Sequence, residues 1–144
     1  MNLKAPTNAQ GFSFQVKFYS DEYPGFICSN YNDLFLAAMN PAPVGSAPVD
    51  TGNITFDANG EPLSVNNALF AVCDGCAAGT DELLDTGFDD AGGTTWLTTS
   101  VPIEGGDEFQ IDFGVMDAGD GILKSTVVLD NFNWDAKSGQ IVTQ

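Results

Sequence analysis

Two segments of this chain alternate apolar and polar residues without interruption, and they restrict the fold more than any other feature. In Phe12-Ser13-Phe14-Gln15-Val16-Lys17-Phe18-Tyr19, the residues Phe12, Phe14, Val16 and Phe18 fall on one side; Ser13, Gln15, Lys17 and Tyr19 fall on the other. The segment Phe109-Gln110-Ile111-Asp112-Phe113-Gly114-Val115 repeats the pattern. A period of two places successive side chains on opposite faces of a β-strand, one face dry and one wet.

Shorter runs fit the same scheme. Ser125 to Trp134 and Thr94 to Val101 are rich in Thr, Val, Leu and aromatic residues, and Leu69 to Val72 reads as another strand. Ile54-Thr55-Phe56 and Leu63 to Asn66 flank Asn59-Gly60, a pair that favours a tight turn, so a hairpin is expected there. Leu34 to Met39 is a short apolar run that suits a buried strand or a helical turn. Ile141-Val142-Thr143 suits an edge strand. Sixteen glycines and seven prolines break the chain too often for long helices, and the proline-rich stretch from Pro41 to Pro48 stops any helix arriving from residue 40. The expected architecture is therefore all-β: an antiparallel β-sandwich, jelly-roll-like, of about eight strands. Residues 1–144 make one domain, with eleven phenylalanines to fill its core and neither a repeat nor a linker to divide it. From Cys73 to Gly93 the pattern fades. That stretch reads as a binding loop, a cysteine-pinned cap or an insertion.

Charge excludes several functions. Four lysines, no arginine and no histidine face twenty Asp and Glu, for a net charge of −16. Nucleic-acid phosphates need Lys and Arg, so that class of partner is excluded, as is docking on an anionic membrane. No apolar run is long enough to span a bilayer. Without histidine there is no His-dependent triad, and a zinc site at Cys73-Asp74-Gly75-Cys76 lacks a fourth ligand. No Gly-rich loop follows a strand and opens a helix, so nucleotide binding is not expected. The chain reads as no enzyme. A loop disulfide is expected, either within Cys73–Cys76 or from one of these to Cys28, and the adjacent pair is taken forward; it implies an oxidising compartment.

The acids concentrate in turns: Ser20-Asp21-Glu22-Tyr23-Pro24, Asn30-Tyr31-Asn32-Asp33 and Asp117-Ala118-Gly119-Asp120-Gly121. If folding gathers them, their repulsion is relieved by proton uptake, by water or by a bound cation, and Ca²⁺ suits carboxylate and carbonyl oxygens best. The candidate ligands are Glu22, Asp33, Asp117, Asp120 and Asp130. The set is not an EF-hand, since alternating acids and a closing Glu are missing, so any calcium site draws on separated loops. On a regular strand Asp130 shares a face with Val128, Phe132 and Trp134, where a carboxylate needs partners. Tyr19, Tyr23 and Tyr31 lie near the first acidic turns and are the candidate sugar platforms, because flat rings stack on the apolar faces of pyranoses. Trp96 and Trp134 read as core anchors.

Five segments in order carry a resemblance: Ala9-Gln10-Gly11-Phe12-Ser13-Phe14, Tyr19-Ser20-Asp21-Glu22-Tyr23-Pro24, Tyr31-Asn32-Asp33-Leu34-Phe35, Thr94-Thr95-Trp96-Leu97-Thr98-Thr99, and Asp117-Ala118-Gly119-Asp120 with Leu129-Asp130-Asn131-Phe132. Together they resemble the choice-of-anchor domains of bacterial secreted and surface proteins, most closely the L type. The resemblance implies an extracellular β-sandwich module excised from a larger secreted protein. Adhesion and binding of a polysaccharide or cell-surface glycan, with structural calcium, are the expected roles. The alternative is a self-associating structural module of a filament or stalk. One departure stands out. Where the family shows Asp-Ser shortly after the Asp-x-Gly-Asp turn, this chain has Lys124-Ser125, which removes a ligand oxygen and supplies a cation that can pair with Asp117 or Asp120 in place of a metal.

Overall fold

The computed structural model describes residues 1–43, 52–67, 69–119, 121–137 and 139–144. The chain is all-β, and two antiparallel sheets form a sandwich. Its strands are β1 (Asn2–Lys4), β2 (Gly11–Ser20), β3 (Leu34–Asn40), β4 (Leu63–Ser64), β5 (Phe70–Val72), β6 (Gly92–Thr94), β7 (Leu97–Pro102), β8 (Glu108–Met116), β9 (Ser125–Asp135) and β10 (Val142–Thr143). The two long alternating segments became β2 and β8, each central to its sheet. One sheet runs β1-β8-β3-β4. In the other, β2 is flanked on one side by β7 and β6, with β10 and β5 beyond them, and along its other side by β9.

The core forms where the apolar rows of β2 and β8 face one another. Phe12, Val16, Phe18 and Ile111 are fully buried, joined by Phe35 and Ala37 of β3. The Phe12 ring lies 5.2 Å from that of Phe109 and 5.5 Å from that of Phe132, with Trp134 edge-on at 6.3 Å. Each buried phenylalanine contributes about 1.5–3 kcal/mol by leaving water. Trp134 is thus a core-margin residue, as the sequence suggests. The short run at Leu34 resolves as a strand: β3 pairs with β8 over its whole length, from Leu34 opposite Met116 to Asn40 opposite Gln110.

Three regions depart from simple expectation. The Asn59-Gly60 turn is present, with Gly60 at φ 85°, but its flanks pair only through Phe56 and Pro62, so the hairpin is stunted. The Cys73–Gly93 stretch is a cysteine-pinned cap. It carries the Cys73–Cys76 disulfide and a 3-10 turn at Asp81–Leu83, and it buries Leu83. The third departure is in β9. Its register against β2 shifts between Ser13 and Gln15, and Asn131 adopts φ 51°. This bulge resets the alternation. Asp130, opposite Gln15, lies on the exposed outer face, whereas Phe132 and Trp134 turn inward to the core. Asp130 therefore shares a face with Val128 but not with Phe132 and Trp134.

Candidate functional site

Two features meet at one end of the sheet built on β2: a knot of buried acids and an aromatic strip on the outer face. The knot is made by loops that bring their own acceptors. Asp33, 1% exposed just before β3, accepts the Ser125 hydroxyl on Oδ2 at 2.6 Å and the Ala118 N–H on Oδ1 at 3.3 Å. Its own N–H donates to Glu22 Oε2 at 2.9 Å, and Glu22 is 2% exposed. Asn32 Oδ1 accepts the Asn66 N–H at 3.0 Å, while Asn66 Oδ1 accepts the Cys28 N–H at 2.7 Å. Buried carboxylates must be satisfied by donors, and here backbone N–H groups and a hydroxyl supply them.

Asp33 also lines an open cleft of about 510 Å³ with Asp117, Lys124, Ser125, Thr86 and Phe88. At the edge of this cleft Lys124 is met by groups from two other loops. Its Nζ lies 3.7 Å from the Asp21 carboxylate, 3.3 Å from the Gly87 carbonyl and 5.6 Å from the centre of the Phe88 ring.

The strip begins at Phe88. The Tyr19 ring lies 5.9 Å from it. Lys17, beside Tyr19 on the polar side of β2, forms an ion pair with Glu82 from the cap. Its Nζ stands 5.8 Å from the Tyr19 ring centre and 5.7 Å from that of Trp96. Two of the four lysines thus stand near aromatic rings in cation–π geometry, Lys17 buried beneath the strip and Lys124 exposed beside it. Burial, chiefly, raises the Tyr19 hydroxyl above its ordinary pKa; Lys17 opposes this and Glu82 reinforces it.

Trp96 corrects an expectation. It is 41% exposed between β6 and β7 and does not anchor the core. Sequence reading missed its role because Trp96 sits between threonines at a strand break, where periodicity assigns no face. Glu82 was missed because nothing local marks it; only the folded cap brings it to Lys17.

The structure distributes the sequence candidates unevenly. Glu22 and Asp33 are in direct contact, and Asp117 lines the same cleft as Asp33. Asp120 lies outside the described residues. Asp130 sits far along β9, opposite Gln15, while Ser125, the hydroxyl that meets Asp33, pairs with Ser20 at the strand's other end. Five residues of strand separate them by roughly 17 Å. Among the described residues no group of three or more His, Cys, Asp or Glu converges to hold a metal.

The tyrosines divide as well. Tyr19 is in the strip. Tyr23 is turned inward, stacked on Phe70 at 4.4 Å and lying against Gly92, where a Cβ would meet the ring at 2.1 Å. Tyr31 is exposed, edge-on to Phe26 at 5.5 Å, on a separate loop. Cys28, on that loop, is unpaired and exposed.

Among known families, the model described as Choice-of-anchor L domain matches residues 5–134. No curated protein and no solved structure matches the chain. The match spans both sheets, the acid knot and the strip, and so the chain belongs to the choice-of-anchor L family.

Proposed function

We propose that this domain is a non-catalytic extracellular recognition module that binds carbohydrate along the Trp96–Tyr19–Phe88 strip. Choice-of-anchor domains occur in bacterial surface and secreted proteins, which supports the location. The observation that carries the ligand class is Trp96, 41% exposed and flanked by the Lys17–Glu82 ion pair. A flat ring offers the apolar face of a sugar a stacking surface, while the partly exposed Glu82 carboxylate beside it, oriented by the buried Lys17, accepts from ring hydroxyls. The adjoining cleft extends that chemistry with Thr86, Ser125, Asp117 and Lys124.

The test is binding to a panel of bacterial and plant polysaccharides in affinity gels, with wild type and Trp96→Ala. Retarded migration in at least one polysaccharide, weakened about tenfold or more in the variant, is expected. No retardation by any member, or retardation indifferent to Trp96, refutes the reading.

Structural calcium attaches to the other feature, the acid knot. Asp117 beside Asp33 supports it, although the oxygens of Asp33 already accept an N–H and an O–H. An ion bound only by the folded state must raise the melting midpoint. Equal midpoints in excess Ca²⁺ and in EDTA remove calcium from the reading and leave the strip untouched.

A further inference from the structure

The open edge of the second sheet carries an inference independent of the strip. Strand β9 is eleven residues long and pairs with β2 along one side; among the described residues its other side pairs with no strand. In antiparallel pairing, alternate residues turn their N–H and C=O away from the partner, so the free side of β9 presents a row of unused donors and acceptors.

The side chains there are unusual for an edge. Leu129 lies opposite Val16 and so belongs to the core-facing row, yet it is 40% exposed where Val16 is fully buried. Val115, on the core-facing row of β8, is 45% exposed where Ile111 is fully buried. Both sheets therefore leave core-facing residues partly exposed, and Val115 lines a cleft with Ser125 and Thr126 at the start of β9. Common protections are also missing. Ser125 to Asp135 contains neither Lys nor Pro. The one irregularity, the bulge at Asn131, is partly closed by Asn133, whose Nδ2 donates to the Asn131 carbonyl at 2.7 Å. Ser125 to Asp130 is left as the regular, open stretch.

The geometry points to a docking site for an extended, basic segment of another protein, added to the sheet as a strand beside Ser125–Asp130. Backbone pairing supplies the register, alternate apolar side chains cover Leu129 and Val115, and Lys or Arg at the intervening positions meets the acidic body. Charge selects this occupant. The chain carries −16; Lys124, next to the stretch in sequence, lies beside Asp21, and Lys17, opposite Val128 on β2, is paired with Glu82. A second copy would set one body of −16 against another, whereas a basic strand is steered in.

The probe is a synthetic nine-residue peptide alternating valine with lysine and threonine. Its controls carry glutamate for lysine, or proline at the central valine. Binding is followed by fluorescence anisotropy, and hydrogen exchange locates it. The lysine peptide is expected to slow exchange of the amides in Ser125–Asp130, and to bind at least about tenfold more tightly than either control. Its affinity is expected to fall as salt screens the charges. Leu129→Lys, at a half-exposed position and checked for an unchanged melting temperature, is expected to weaken it about tenfold or more. The proposal is overturned by protection elsewhere or nowhere, by equal binding of the proline or glutamate peptide, or by protection of β9 that appears with protein concentration alone, which would identify a second copy as the occupant. Trp96→Ala leaves this binding unchanged, so the two surfaces fail or succeed separately.

Discussion

Replacing Asp33 with alanine tests whether the acid knot holds this end of the sandwich together. The substitution removes the acceptor of the Ser125 hydroxyl, at 2.6 Å, and of the Ala118 N–H, at 3.3 Å. A hydrogen bond to a charged group contributes about 1.5–3 kcal/mol; the longer one contributes less, and its partly buried N–H is left without that acceptor. Loss of one negative charge beside Glu22 works the other way, easing repulsion between two acids that are almost fully buried. The net expectation is a loss of about 2–4 kcal/mol, or roughly 5–15 °C of melting temperature for a domain of this size. Asp33→Asn keeps the shape and one acceptor oxygen, so it should cost less than half as much. Thermal and urea unfolding followed by circular dichroism measure both. A cycle with Ser125→Ala should give a coupling of about 1–2 kcal/mol between contacting partners. If Asp33→Ala melts within about 2 °C of wild type, or if the cycle is additive, the knot is not what fastens the loops.

Reduction of Cys73–Cys76, or Cys76→Ala, should lower stability by about 2 kcal/mol, since the bond closes a very short loop and so limits the unfolded chain only modestly; an unchanged urea midpoint would exclude this. Tyr19 should ionise above an ordinary tyrosine, because burial disfavours tyrosinate. Its raised folded-state pKa means that its contribution to stability is complete below the unfolded pKa and fades as pH rises through the folded one. A late step in tyrosinate absorbance that persists in Tyr19→Phe would contradict this assignment. Gly92→Ala should destabilise by about 1–3 kcal/mol, since its Cβ would meet the Tyr23 ring at 2.1 Å and that ring is pinned on Phe70. A neutral effect on the melting temperature would mean that the ring moves freely.

The family, the all-β class and the two central strands were legible in the chain itself. Alternation is a local property: Phe12 to Tyr19 and Phe109 to Val115 carry their buried and wet faces in the order of their residues, and glycine and proline mark where strands end. The acidic turns that hold Glu22, Asp33 and Asp117 lie at one end of the fold. What the sequence left open depends on contacts between distant segments. Asp130 was misplaced because the bulge at Asn131 is created by the pairing of β9 with β2, and a shift of one residue changes which face every later side chain occupies. Trp96 faces water, and Glu82 meets Lys17, only because the cap folds back across the sheet. Strand identity is encoded by spacing along the chain; partners, exposure and the open rim of β9 are set by how the sheets stack, and no stretch of neighbouring residues contains that information.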